Sequence, residues 1–423
     1  MDRLLTEIET RRDDLVALTQ DLIRIPTLNP PGLHYRDICA LVGDRLGARG
    51  WQVEMVRATG ALGDSEKYPR WNVVCRLEGK RPGDCLHFNS HHDVVAVGDG
   101  WTRDPFGGEV AEGKVYGRGA CDMKGGLATS IIAAEAFADL HPDFAGAIEI
   151  SATADEESGG FGGVAYLAQQ GFFDPARVQH VIIPEPLNKD RICLGHRGVW
   201  WAEIETKGRI AHGSMPFLGD CAVRHMGAVM DEMERTLFPL LAGKQTEMPV
   251  VPEGAKHSTL NINAIHGGEP VQDEDYTGLP SACVPDRCVL TIDRRFLIEE
   301  DIAEVKAEVT QMMERVRAAR PDFRYEIRDL WEVQPTMTPE DAPIVQTVQD
   351  AVTQILGKSA EFVVSPGTYD QKHIDRIGRL KNCIAYGPGV LDLAHQPDEW
   401  IGVQDMVDSG QVMALALRRL LYP

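Results

Sequence analysis

The chain has 423 residues, 43% apolar and 25% charged, the proportions of a globular protein, and its length makes two domains the default expectation. A net charge of −21 argues against nucleic acid as a partner, because phosphates would be repelled. Nine cysteines, odd in number and without a CxxC pair, suggest reduced thiols and a cytoplasmic location rather than a disulfide framework. Residues 1–7 carry no basic-then-apolar leader and nowhere do about 18 apolar residues run together, so neither a signal peptide nor a membrane partner is expected.

Helical spacing covers 2–23 (Leu4, Ile8, Leu15, Leu18, Leu22) and ends at Pro26 and the Asn29-Pro30-Pro31-Gly32 turn. A second amphipathic helix is expected at 38–46, followed by strands at 51–56, 71–77 and 85–89. The Gly117–Gly126 loop opens a helix at 127–137, whose small and apolar residues suggest burial on most sides. A strand at 147–152 runs into Asp155-Glu156-Glu157 and the glycine-rich stretch Ser158–Gly163, which reads as flexible slack. A helix near 164–170 precedes a strand at 178–183 that ends in Pro184-Glu185-Pro186. This alternation predicts an α/β fold, a mixed, largely parallel sheet flanked by helices, whose ligand sites lie at the carboxyl ends of strands.

From residue 198 the texture changes. A strand at 200–206, a helix at 221–241, strands at 258–265 and 288–296, a helix at 302–319 and a strand at 323–330 follow one another. That β-α-β-β-α-β order is ferredoxin-like. The first pattern resumes with a helix at 344–356, strands at 360–364 and 382–386, and a helix at 403–421. The expected organisation is a catalytic domain in two parts, 1–197 and 332–423, with an α+β domain inserted at 198–331.

The chemistry gathers where strands and loops end. Cys85-Leu86-His87-Phe88 leads into Ser90-His91-His92-Asp93-Val94-Val95, and in a strand His91 and Asp93 share a face that His92 does not. A histidine with a carboxylate on its own face suits a metal ligand and its supporting group. The glycine-rich turn delivers Asp122, the next strand ends at Glu156-Glu157, another at Glu185, and His395 lies in Leu393-Ala394-His395-Gln396-Pro397-Asp398-Glu399. Nitrogen and oxygen ligands without cysteine suit zinc in a hydrolytic role, or cobalt or manganese. Two such ions sharing one carboxylate sit roughly 3.5–4 Å apart. Asp122, Glu157, Glu185 and one hydroxide would balance their charge, and the spare glutamate of the Glu156-Glu157 pair can take a proton. Each residue alone has an ordinary explanation, an N-cap for Asp122 or a solvated acidic pair at Glu156-Glu157. Their coincidence at successive ends of one sheet points to a site.

The segments Ser-His-His-Asp-Val-Val, Gly-Arg-Gly-Ala-Cys-Asp-Met-Lys-Gly-Gly, Asp-Glu-Glu and Ala-His-Gln-Pro-Asp-Glu resemble signatures of a dizinc hydrolase family. That family contains acetylornithine deacetylase, succinyl-diaminopimelate desuccinylase, aminoacylase and glutamate carboxypeptidase, and the resemblance covers essentially the whole chain. It implies a zinc-exopeptidase-like catalytic domain with His91 and Glu185 on one metal, Glu157 and His395 on the other, and Asp122 bridging. It implies Glu156 as general base and later proton donor, with Asp93 orienting His91. The inserted domain resembles the family's lid and dimerisation domain. His212, in Gly208-Arg209-Ile210-Ala211-His212-Gly213-Ser214, matches the histidine that reaches the partner subunit's site in a homodimer and steadies the oxyanion. Asn261 and Arg295 match lid positions that bind the substrate carboxylate, and Gly367, Thr368 and Asp370 match a loop lining the substrate pocket. Two departures fall among substrate contacts: Ala282-Cys283-Val284-Pro285 stands for Asn-Val-Val-Pro, and Asn263 for a glycine.

The implied function is metal-dependent hydrolysis of the amide bond of an N-acylated amino acid by a hydroxide held on two zinc ions, within amino-acid metabolism. Lys124-Gly125-Gly126 and Gly-Thr-Tyr-Asp look most like the deacetylase and desuccinylase branch. The alternatives are a dipeptidase or carboxypeptidase of the same family, and a non-catalytic small-molecule binding protein on this scaffold. Other motifs fall short. Gly357-Lys358-Ser359 lacks the upstream glycine of a phosphate loop, Ser214 lacks a nucleophile elbow, and Cys121 reads as packed.

Overall fold

The computed structural model describes residues 2–268, 282–320 and 322–422. Its main strands are β1 (Gln52–Arg57), β2 (Trp71–Glu78), β3 (Arg81–His91), β4 (Ala145–Thr153), β5 (His180–Ile183) and β6 (Arg191–His196). They continue with β7 (Gly198–Lys207), β8 (Thr259–Gly267), β9 (Arg287–Phe296), β10 (Arg324–Val333), β11 (Glu361–Ser365) and β12 (Cys383–Ala385). The longer helices are α1 (Arg3–Thr10), α2 (Arg12–Ile23), α3 (Tyr35–Gly47), α4 (Gly125–Leu140), α5 (Ala222–Glu232), α6 (Ile302–Ala319), α7 (Pro343–Leu356) and α8 (Val403–Leu421). The chain forms two compact units: Met1–Gly195, Thr338–Val363 and Tyr369–Pro423 make the first, and His196–Met337 with Val364–Thr368 the second.

In the first unit the sheet runs in the order β1-β2-β4-β3-β5-β12-β6, with β11 also pairing β6. Its centre is parallel, β4 and β5 flanking β3 and β12 following β5, whereas β1, β2 and β6 are antiparallel additions. Parallel central strands need cover on both faces, and β3 from Cys85 onward, nearly all of β4 and the whole of β5 are buried accordingly. Every residue of α4 from Gly125 to Phe137 is buried, and α8 packs against both α4 and α7. The helical pattern at 2–23 is two helices, because Arg11 leaves helical geometry (φ −90°, ψ 10°). Strand β6 has no counterpart in the sequence pattern. Its Ile192-Cys193-Leu194 run is too short to show a period, and only pairing in the sheet defines it.

The parallel register decides where chemistry can gather. His91 at the end of β3 lies opposite Thr153 at the end of β4, and Phe88 lies opposite Ile182 of β5. The strand-ending segments 91–93, 154–157 and 184–186 therefore leave the sheet along one edge.

The second unit is a four-stranded antiparallel sheet, β8-β9-β7-β10, with α5 and α6 over one face. Burial alternates residue by residue along β7 and β9. Ala202, Ile204, Leu290 and Ile292 meet Met226, Val229, Val305, Val309 and Met312 in one core. This β-α-β-β-α-β path is ferredoxin-like.

Two fully buried imidazoles make the first unit sensitive to acid. His87 hydrogen-bonds Ser151 Oγ at 2.7 Å and His92 the Trp71 carbonyl at 3.0 Å, and burial pushes each down to about 4 from 6.5. Both stay neutral in the fold, whereas the unfolded chain takes up protons as pH falls through its higher value. Their stabilisation is therefore complete above that value and is lost between about pH 6.5 and pH 4, at about 2 kcal/mol per site by pH 5. Calorimetry at pH 7 and pH 5 should show a marked fall in Tm, smaller in His87→Gln. An equal fall in Tm for the native chain and His87→Gln would contradict the neutral burial of His87.

Candidate metal centre

His91 closes β3 with its Nε2 2.9 Å from Asp122 Oδ1. Asp122 lies in the short turn Ala120–Lys124 that opens α4. On the other side of the same carboxylate, His395 Nε2 is 3.5 Å from Asp122 Oδ2 and 3.0 Å from Glu157 Oε1. One donor atom each from His91, Asp122 and Glu157 falls within 4.8 Å of the other two. Glu185, just beyond β5, is buried and feels the charges of Asp122 and His91. All five proposed ligands thus belong to one neighbourhood of the first unit, with Asp122 between the two imidazoles. His92 points the other way, onto the Trp71 carbonyl and the Tyr35 ring.

The electrostatics are those of a crowded anionic site. Burial, then the neighbouring Asp122 charge, pushes Glu157 up to about 7 and Glu185 well above the usual carboxylate range. Burial also opposes charge on Asp122 and His91. For Asp122 the neighbouring His395 and His91 imidazoles outweigh it and hold the carboxyl low, and for His91 the hydrogen bond to Asp122 and the nearby Asp93 carboxylate hold the imidazole high. His395 is raised to about 10 by Asp122 and Glu157. Three carboxylates and two imidazoles, with Cys121 Sγ turned to the Val390 carbonyl at 3.3 Å, make an oxygen–nitrogen donor set that fits hard to borderline divalent cations.

Residues remote in sequence hold this set in place. His91 Nδ1 is 3.0 Å from the Asp93 carbonyl oxygen and 3.6 Å from the Asp93 carboxylate. Asp93 therefore supports His91 chiefly through its main chain. Its carboxylate is occupied by the backbone N–H groups of Glu156 (3.1 Å) and Glu157 (3.2 Å) and by Asn29 Nδ2 (2.7 Å). One buried aspartate thus couples the end of β3 to the glutamate pair after β4. Glu399 does the same for Asp122: its Oε1 accepts from the Cys121 and Asp122 N–H groups at 2.9 and 3.1 Å, while Oε2 pairs with Arg118 at 2.6 Å. Arg118 also donates to the His395 carbonyl at 3.2 Å, so the turn carrying Asp122 and the loop carrying His395 are tied by one ion pair. Glu185 is placed by close backbone approach. A Cβ on Gly126 would lie 2.1 Å from the Pro184 carbonyl oxygen, and one on Gly387 would lie 2.4 Å from it.

Glu156 points at a lysine that sequence reasoning passed over. Its Oε1 lies 3.2 Å from Lys372 Nζ. The glycine-rich stretch beyond the pair is not slack. A Cβ at Gly163 would meet the Ala154 carbonyl oxygen at 2.0 Å, and one at Gly162 would meet Asp155 Oδ2 at 2.4 Å. The glycines permit a tight turn pressed against its own strand.

The remaining predicted site residues are distributed as follows. Asp370 is buried in the first unit, its carboxylate accepting from Asn89 Nδ2 at 3.0 Å, so it is held inside the protein and presents no open surface. In the second unit, His212 is exposed and its Nδ1 accepts from the N–H and Oγ–H of Ser214 at 3.1 and 2.8 Å. Asn261 Nδ2 donates to Asn263 Oδ1 at 2.7 Å, the side chain standing where the family has a glycine. Arg295 is forked onto Asp293 at 2.6 and 2.9 Å, whereas Arg294 is wholly buried and pairs with Glu300 at 2.8 Å. The two arginines therefore face opposite sides of β9, and Arg295 is the one at the surface. Gly367 and Thr368 also belong to the second unit, on the excursion Val364–Thr368.

Comparison with known proteins is consistent along the chain. The sequence profile of peptidase family M20/M25/M40 matches residues 87–419. A succinyl-diaminopimelate desuccinylase of Rhodospirillum centenum is 28% identical over 416 residues, covering 96% of this chain and 97% of that protein. Among solved structures, human carnosine dipeptidase 1 is similar with a TM-score of 0.76 at 20% identity, across 99% of this chain and 98% of that one. A Bacillus subtilis protein described as a dinuclear metal-binding peptidase of the M20 family is similar with a TM-score of 0.65 at 14% identity, over 97% and 99% of the two chains. The family match runs through the strand ends, the glycine-rich turn and the second unit alike, and the chain belongs to peptidase family M20/M25/M40 and is a metal-dependent amidohydrolase.

Proposed function

We propose that the chain removes the acyl group from an N-acylated amino acid, with a substrate of the N-succinyl or N-acetyl type. The observation that carries this reading is the single anionic neighbourhood formed by His91, Asp122, Glu157, Glu185 and His395 beside Glu156. The desuccinylase similarity over nearly the full length favours the deacylase over the dipeptidase. The dipeptidase is the second reading, motivated by the structural likeness to a carnosine dipeptidase. The presence of Glu156 beside the complete ligand set supports catalysis over simple binding.

His91 and Glu185 would hold one divalent ion, Glu157 and His395 the other, and Asp122 both; zinc is the preferred identity, with cobalt or manganese in its place. Once bound, such a pair supplies positive charge at the scissile carbonyl and acidity to a water molecule. Glu156 takes the proton from the attacking water and returns it to the leaving nitrogen. Asp93 keeps His91 and the glutamate pair in register, and Glu399 keeps Asp122 in place. His212, supplied by a partner subunit of a homodimer, steadies the tetrahedral oxyanion. Asn261 and Arg295 receive the substrate carboxylate, for which Arg295 exchanges Asp293, and Gly367, Thr368 and Asp370 are assigned to substrate binding. No helix among the described residues is long and apolar enough to cross a membrane, and a cytoplasmic setting with free thiols suits this chemistry.

Chelation should abolish turnover of a panel of N-succinyl amino acids, N-acetyl amino acids and dipeptides, and zinc, cobalt or manganese should restore it. The chelated protein should also melt at lower temperature, because Asp122, Glu157 and Glu185 lose their counter-charge. Elemental analysis finding no divalent metal, together with unchanged melting on chelation, would count against the site. Glu156→Gln should keep its metal and lose about 10²- to 10⁴-fold in kcat; turnover at the native rate would remove Glu156 from the role of base.

The dimer makes a separate prediction. Light scattering should give twice the chain mass, and His212→Ala should lower kcat about 10²- to 10³-fold without changing that mass. A fully active monomer would exclude His212 acting across an interface.

A further inference from the structure

Lys372 meets Glu156 but takes no part in the proposed proton transfer. Its side chain is 1% exposed, and among the described residues its ion-pair partner is Glu156, itself 12% exposed. Burying an ammonium group costs several kcal/mol unless a carboxylate or comparable partner compensates it, so a lysine in this position must be held there by its surroundings.

Those surroundings are specific. Lys372 is the second residue of the short helix Gln371–Arg376, which begins directly after Asp370. Asp370 is held by Asn89 of β3, and Asn89 Oδ1 in turn accepts from Ser151 Oγ of β4 at 2.8 Å. Gln371 donates to the Leu194 carbonyl, Thr338 Oγ1 and the Cys383 carbonyl at 3.0–3.2 Å, and accepts from the Tyr369 hydroxyl. On the far side of Lys372, His373 Nε2 lies 2.7 Å from the Gly159 carbonyl oxygen. Lys372 grips the side chain of Glu156 while His373 grips the main chain three residues on, so the 370–373 segment clamps the turn that carries the glutamate pair. Gly160 allows this approach: a Cβ there would lie 3.0 Å from Asp370 Oδ1 and 3.1 Å from the His373 ring.

We propose that Lys372 is a positioning residue for Glu156, its buried ammonium fixing Glu156 Oε1 so that Oε2 is the oxygen presented to the attacking water. The inference rests on the assignment of Glu156 as the general base. A carboxylate on a free side chain samples several rotamers, and one aimed within a fraction of an ångström of a water is far more effective. Lys372 supplies that aim from a segment 216 residues away in sequence.

The test uses the metal-loaded full chain and the panel substrate with the highest turnover. Lys372→Met keeps the aliphatic stem and removes the ammonium. It should lower kcat about 10- to 100-fold, leave KM within about threefold and leave metal content unchanged, and Lys372→Arg should recover most of the loss. In a Glu156→Gln background Lys372→Met should cost nothing further, because the group it aims has gone. Native turnover in Lys372→Met, or the same loss with and without Glu156, overturns the proposal while the base assignment stands. Native turnover in Glu156→Gln alone is the different failure, that of the base assignment. Should Lys372→Met not accumulate as folded protein, Lys372→Gln is read by the same criteria.

Discussion

Donor atoms of His91, Asp122 and Glu157 lie within 4.8 Å of one another, with His395 and the buried Glu185 beside them, and this crowding of charge is the constraint around which the first unit is built. Burial first, and the neighbouring Asp122 charge second, push Glu157 and Glu185 toward their protonated forms. A chain that merely folded would avoid the arrangement. Its place at the carboxyl edge of a parallel sheet is what a cation site requires, and bound divalent ions would relieve the acid–base balance.

Holding the site before any cation arrives falls to groups that never need to touch it. Asp93 ties the end of β3 to the glutamate pair, and the Arg118–Glu399 ion pair ties the Asp122 turn to the His395 loop. Glycine contacts around Pro184 set the exit of β5, and the 370–373 segment closes over Glu156. Each is a buried charge or a close backbone approach, and each meets a partner on another element. The backbone is thereby fixed where the donors project, which is the preorganisation that hydrolytic metal chemistry needs.

The second unit follows a different logic. Its core is apolar and its sheet has one covered face, so it is stable on simple alternation. The polar residues assigned to substrate sit on that scaffold in self-satisfied pairs, Arg295 with Asp293 and Asn261 with Asn263. Under the proposed role, a substrate carboxylate would have to displace a neighbour of the same charge from Arg295, which would make recognition an exchange of partners on a guanidinium already oriented by Asp293.

Much of this was legible in the sequence alone. Short apolar runs marked the parallel strands, small and apolar residues marked α4, and period-2 and period-3.6 patterns marked the ferredoxin-like unit and the other helices from α3 to α8, because burial leaves a local imprint on each segment. Strand alternation separated His91 from His92, and the strand-ending acidic and histidine motifs marked the ligand set through their resemblance to a known family. The tertiary structure alone decided the rest. Strand β6 exists through its pairing, and the glycines after Glu157 serve close approach where the sequence suggested slack. Asn29, Glu399 and Lys372 find their partners across as many as 281 residues. A sequence shows what a residue can offer, but the partner of a buried charge depends on which strands become neighbours, and strand order is a property of the whole sheet.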